Sequence, residues 1–282
     1  MWSNFARVSP TARYTGAVWR RHGLSPAALH PLPDRVLAAG MRLSAPLRPD
    51  PLLEGLLLAR HVAIDALLTR AIVDGGVSQV IELAAGQSAR GWRFKQRFGT
   101  GLRYIETDLP AMAARKQRAL QRGGLLSSGH EVRALDAGVT TGPLSLRTLL
   151  GALAPDRGVA IISEGLLNYL PLQTVDQLWQ DASAGMRRFP ASLYLADTYL
   201  ASDNGDLLTR GFLAALSVMV RGAVRLHFTD AGALHARARR DGWRSSALLA
   251  PDAVTGSGAG GSGATGRVRI LCASAHDRLP GA

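Results

Sequence analysis

The chain has 282 residues, 47% hydrophobic and 19% charged, with one cysteine (Cys272) and a formal net charge of +12. That length can bury one large core, the composition excludes a disordered chain, and a lone cysteine excludes both a disulfide framework and a thiolate metal site. The charge is carried almost wholly by scattered arginine, with Lys95 and Lys116 the only lysines and no dense basic run with interleaved aromatics, so nucleic acid is not an expected partner. An anionic small molecule remains compatible with that field.

Taken in chain order, Met1 to Arg7 carries no apolar stretch of signal-peptide length, and no segment reaches the roughly 18 apolar residues of a membrane span. A cytoplasmic location, away from the membrane, is expected. Six prolines between Pro26 and Pro51 break the early chain into short pieces, after which Leu52 to Val73 runs with apolar residues at helical spacing. From residue 79 the pattern alternates: strands are expected at 79–83, 103–108, 131–135, 159–163, 192–197, 243–249 and 268–273, with helix-compatible segments between the first six. An apolar helical insert at about 200–228 carries Leu207, Phe212, Leu213, Leu216 and Val220 on one face, a stripe suited to core packing or to a pocket wall. The Gly/Ser-rich stretch 255–266 reads as a surface loop joining the last two strands without a helix.

The predicted fold is therefore α/β: a Rossmann-like, seven-stranded, mostly parallel sheet with a C-terminal antiparallel hairpin. Residues 1–75 form a helical lid and residues 76–282 the main domain.

The first strand ends Val80-Ile81-Glu82-Leu83 and turns through Ala84-Ala85-Gly86, and Asp108 closes the second strand 22 residues after the glycine. An acid about 20 residues past such a turn reaches the ribose hydroxyls of a nucleoside. The turn lacks the G-x-G-x-x-G that lets a backbone approach a pyrophosphate. A nucleoside without phosphate, such as S-adenosylmethionine, suits it better, with Glu82 and Gly86 near the amino-acid portion. Acids fall at or just past the ends of four successive strands, namely Glu82, Asp108, Asp136 and Glu164. Strand carboxyl ends are where such sheets bind ligands.

Four strings in order, Thr11 to Trp19, Glu82 to Gly86 with Arg90-Gly91-Trp92-Arg93-Phe94, Tyr104 to Pro110 with Arg115-Lys116, and Ser163 to Leu170, resemble the leucine carboxyl methyltransferase family. The likeness is greater to its bacterial branch, which includes polyketide O-methyltransferases of the tetracenomycin type. The resemblance implies S-adenosylmethionine as cofactor and a class I methyltransferase fold. It further implies Arg13 and Arg60 at the cofactor carboxylate, Gly86 at the methionine portion, Asp108 at the ribose, and Leu109 against the adenine. Asp136 would lie near the adenine amino group with Ala137 beside it, Glu164 would take the cofactor's ammonium, and Tyr169 would lie on the pocket floor. The missing G-x-G turn and Ala137, where a larger apolar residue is common, depart from the pattern.

Methyl transfer to a carboxylate requires no general base, because the acid is ionised at neutral pH, whereas a phenol or other hydroxyl would require one. His22, His61 and His227 are the histidines considered for that role, with His22 and His227 better placed. Tyr14, Arg20, Arg21 and Arg42 are candidates for holding an anionic acceptor. No metal is expected. A nicotinamide-dependent oxidoreductase and a catalytically silent binding protein on the same fold remain alternatives.

Overall fold

The computed structural model describes residues 10–29, 51–205, 224–256 and 265–281; the side chains of residues 10–14, 51–53 and 265 fall outside that description. Helix α1 (Pro10–Arg21) and a 3-10 turn (Ala27–Leu29) precede the long helix α2 (Pro51–Val73). The alternation then runs β1 (Val77–Glu82), α3 (Arg90–Phe98), β2 (Arg103–Asp108), α4 (Pro110–Arg122), β3 (His130–Ala134), α5 (Leu146–Gly151), β4 (Gly158–Ser163), α6 (Leu172–Met186) and β5 (Ser192–Thr198). It closes with α7 (Ala231–Arg240), β6 (Ser245–Leu249), α8 (Pro251–Thr255) and β7 (Arg269–Ser274).

The seven strands form one sheet in the order β3-β2-β1-β4-β5-β7-β6. The first five are parallel, and β7 runs antiparallel between β5 and β6. Each predicted strand is present, with ends shifted by no more than two residues. Strands buried on both faces read as near-continuous apolar runs, which is why β1, β4 and β5 were legible. Their side chains divide by pleat. Ile81, Ile161, Tyr194, Ala196 and Ala273 pack under α5, α6 and α7, around Trp179 and Trp243. Val80, Ile162, Leu193, Leu195 and Cys272 pack under α2, α3 and α8, against Ile64, Leu68 and Phe94.

The last connection differs from expectation, because α8 lies between β6 and β7. Pro251 supplies a fixed φ at the first helical position, and Gly256, at φ 69°, ends the single turn in the left-handed region. Residues 265–267 form a 3-10 turn before β7, while residues 257–264 of the Gly/Ser stretch lie outside the described residues. So do residues 206–223, which hold the apolar stripe of the insert, and Arg42. Among the described residues no helix is long and apolar enough to cross a membrane, and no group of side chains could hold a metal ion.

The strand order reverses between β1 and β4, and the carboxyl ends of strands at such a topological switch point are where sheets of this kind take up a ligand. Of the predicted site residues, Glu82, Gly86, Asp108, Glu164 and Arg60 lie around this switch point.

Candidate functional site

The turn after β1 is braced by its neighbours. Leu83 N–H donates to the Ile162 carbonyl of β4 and Ala85 N–H to the Thr107 carbonyl of β2, at 2.8 and 2.9 Å. Lys116 of α4 donates to the Ala85 carbonyl at 3.2 Å and pairs with buried Glu106. Gly91, at the start of α3, allows this packing, because a Cβ there would collide with Glu106 and His130.

Asp108 reaches across from β2. Its Oδ2 accepts from Gly86 N–H at 2.9 Å and its Oδ1 from Leu109 N–H at 2.8 Å. Each oxygen keeps a further lone pair for a ribose hydroxyl. Burial raises the Asp108 pKa above the usual carboxylate value, against these two amide bonds. Leu109 is half-buried beside it, ahead of Pro110 at the first position of α4.

Gly86 has φ 48°, as the turn requires, and Ala84 has φ 49°. Left-handed backbone costs an L-residue roughly 1–2 kcal/mol, and a glycine gives back part of that gain in unfolded-chain entropy. We therefore expect Ala84→Gly to stabilise the fold by about 0.5–1 kcal/mol, raising the melting temperature by roughly 2 °C. A lowered melting temperature would show that the Ala84 methyl makes a contact worth more than the strain.

On the other side of the switch point lies a buried ionic network. Arg90, fully buried, donates from Nε to Asp65, from Nη1 to Glu82 and from Nη2 to Glu164, at 2.5, 2.7 and 2.5 Å. Glu82 also accepts from the Tyr104 hydroxyl at 2.7 Å. Arg93 donates to Asp65 at 2.6 Å and stands 2.7 Å from His61 Nε2, while His61 Nδ1 lies 2.9 Å from Glu164 and 2.8 Å from Arg90 Nη2, beneath the stacked ring of Trp19. Arg60 donates from Nε to Glu164 at 3.2 Å and from Nη1 to Asp197 at 2.7 Å. Burial works against charge on Glu164, yet His61, Arg90 and Arg60 hold its pKa well below the usual range. Burial likewise opposes the charge of Arg90, and Asp65, Glu164 and Glu82 raise its pKa well above the arginine value.

Glu82, Gly86, Asp108, Glu164 and Arg60 are thus gathered at the switch point. Asp136 lies past the end of β3, half-buried, accepting from Gly138 N–H at 2.9 Å, with Ala137 packed against the core. Tyr169 is half-buried in the turn after Glu164, its pKa raised by burial against the charge of Arg60. The side chains of Arg13 and Tyr14 lie outside the described residues.

The remaining candidates are placed by other contacts. Arg20 is half-buried at the end of α1. Arg21 and His22 share the two oxygens of Glu54, at 2.9 and 2.7 Å, which ties α1 to the start of α2. His61 is spent inside the ionic network. His227 bonds the Leu167 carbonyl through Nε2 at 3.0 Å, and burial lowers its pKa. Sequence reasoning missed Asp65 and Asp197 and gave Arg90 no role of its own. Asp197 carried the available signal, since it stands one residue before the end of β5, after the apolar run Leu193 to Ala196.

The seven-stranded sheet, with five parallel strands, a switch point between β1 and β4 and an antiparallel β7, is the fold of a class I methyltransferase. The chain belongs to the leucine carboxyl methyltransferase family, whose sequence profile matches residues 35–183. It is 32% identical over 131 residues to a Frankia alni protein named as a candidate S-adenosyl-L-methionine-dependent methyltransferase, a match spanning 43% of this chain and 41% of that protein. A Thermobifida fusca structure described as a candidate methyltransferase shares the fold with a TM-score of 0.64, at 15% identity over 97% of this chain and 98% of its own. Human N-acetylserotonin methyltransferase, solved in complex with SAM, gives a TM-score of 0.50 at 13% identity over 79% of this chain and 56% of its own.

Proposed function

We propose that the protein is an S-adenosylmethionine-dependent O-methyltransferase of the bacterial, tetracenomycin-type branch of its family. In this reading it forms the methyl ester of a small anionic acid in the cytoplasm. The observation that supports this best is the charge around the switch point. Asp65, Glu82, Glu164 and Asp197 face Arg60, Arg90 and Arg93 around His61, and Asp108 adds a carboxylate across from them, so carboxylates outnumber guanidinium groups there. S-adenosylmethionine, with its sulfonium, ammonium and carboxylate, carries one net positive charge. A dry site would pair the two.

The residues fit that ligand. Asp108 would hold the ribose, with Leu109, Asp136 and Ala137 around the adenine and Gly86 at the close backbone approach. Glu164, three of whose roughly four acceptor positions are used, keeps one for the ammonium. Arg60 would meet the carboxylate, joined by Arg13. The cofactor supplies a methyl group already activated on sulfur. The chain orients acceptor and donor and excludes water, and a carboxylate acceptor needs no proton removed. Residues 1–75, with Tyr14, Arg20 and Arg21, would cover the acceptor side, while α2 also packs the sheet.

Incubation with methyl-labelled S-adenosylmethionine and a panel of aliphatic and aromatic acids and phenols tests the reading. The expected product releases its label as methanol in mild alkali; an alkali-stable product would be an ether or amine and would overturn the ester assignment. A hydroxyl acceptor has one observation in its favour. Burial lowers the pKa of His227, which favours the neutral imidazole that a general base requires.

A further inference from the structure

The three nitrogens of the Arg60 guanidinium are used unequally. Nε donates to Glu164 at 3.2 Å, and Nη1 donates to Asp197 at 2.7 Å and to the Tyr199 hydroxyl at 3.4 Å. Nη2 has no acceptor among the described residues, and it lies 2.9 Å from where a Cβ on Gly165 would stand. Gly165 follows Glu164 at the carboxyl end of β4, so this free edge of the arginine faces the switch point.

Asp197 is 1% exposed, and its other oxygen accepts from Gly165 N–H at 2.6 Å. One carboxylate therefore fixes both the arginine and the glycine over which the arginine lies. Without it, Arg60 would have a single acid within reach. A guanidinium facing one carboxylate closes on it through two parallel N–H bonds. That would spend Nη2 on Glu164 and the last acceptor position of Glu164 on Arg60.

We propose that Asp197 is a positioning residue for the cofactor's amino-acid end: it draws Arg60 off Glu164, so that the arginine stays open to a carboxylate and the glutamate to an ammonium. This rests on the proposed S-adenosylmethionine site and adds a role for a residue that touches no cofactor atom itself. Burial and the neighbouring charge of Glu164 raise the Asp197 pKa in spite of Arg60, consistent with a group kept for its geometry.

The test compares two ligands by calorimetry, S-adenosylhomocysteine and 5′-methylthioadenosine, which keeps the nucleoside and sulfur but lacks the amino-acid portion. Asp197→Asn should weaken S-adenosylhomocysteine about 10- to 100-fold, the scale of one charge-assisted bond, and leave 5′-methylthioadenosine unchanged. Gly165→Ala, which keeps Asp197 but sets a methyl group against Nη2, should show the same selective loss. Gly165 has φ 64°, so the alanine also carries left-handed strain, and the unchanged binding of 5′-methylthioadenosine shows that this strain leaves the nucleoside site intact. Equal weakening of both ligands in either variant, or of neither, would overturn the positioning role. Wild-type protein that binds neither ligand would overturn the S-adenosylmethionine site and this inference together.

Discussion

Arg90→Gln is expected to destabilise the fold by about 3–5 kcal/mol, the usual cost of removing one partner from a buried ion pair. For a chain of this size that lowers the melting temperature by about 10 °C. The cost falls at the upper end of ordinary single substitutions because one guanidinium serves Asp65 of α2, Glu82 of β1 and Glu164 beyond β4, whose side chains are 15%, 3% and 8% exposed. Its loss leaves three carboxylates crowded with less compensation. Arg90→Lys should recover little, because a single ammonium cannot span three acceptors set in a fork.

The pH dependence follows from the direction of the shifts. Asp65 and Glu164 are held below their ordinary values, burial being outweighed for Asp65 by Arg90, His61 and Arg93. A depressed carboxylate adds stability that is present above its unfolded pKa, about 4, and is lost as pH falls through the folded value. The gap between wild type and Arg90→Gln should thus be widest near neutrality and narrow below about pH 4. Urea unfolding at pH 7 and pH 3.5 measures it; a gap that stays constant, or a change in melting temperature under 2 °C at pH 7, would show that the carboxylates find other partners.

That arginine illustrates what sequence did not reveal. The scatter of arginine along the chain reads as solvated surface, and nothing in the local pattern distinguishes Arg90, fully buried, from an exposed one such as Arg21. Lysine was more telling. Both lysines are buried, Lys95 capping the carbonyls of Gly99 and Leu102 and Lys116 that of Ala85. At both places a compact ammonium satisfies backbone carbonyls at close quarters.

The strands were legible because burial on both faces writes them as apolar runs, and the acids Glu82, Asp108 and Glu164 because a charge closing such a run stands out. Asp197 closes Leu193-Tyr194-Leu195-Ala196 in the same way. Its role was hidden because it lies in the distance between α2 and β5, 137 residues apart in sequence. The one-turn helix α8 is too short for periodicity to register; only Pro251 and Gly256 marked its ends.

Asp108→Ala should weaken S-adenosylmethionine by about 3 kcal/mol, roughly 150-fold in Kd, if the carboxylate holds both ribose hydroxyls. The side chain also braces the turn through Gly86 and Leu109, so a loss of affinity alone does not separate the two contributions. Ligands that lack a hydroxyl do separate them. Wild-type protein should bind S-adenosylhomocysteine more tightly than its 2′-deoxy or 3′-deoxy analogues, and Asp108→Ala should bind all three alike, since the partner of the missing hydroxyl is already gone. If the variant still discriminates among them, another group reads the ribose and Asp108 serves the turn. Asp108→Asn is expected to resemble the alanine variant, not the wild type. One of its atoms becomes a donor facing an N–H of Gly86 or Leu109, so the amide can satisfy only one of the two backbone groups that the carboxylate bonds together.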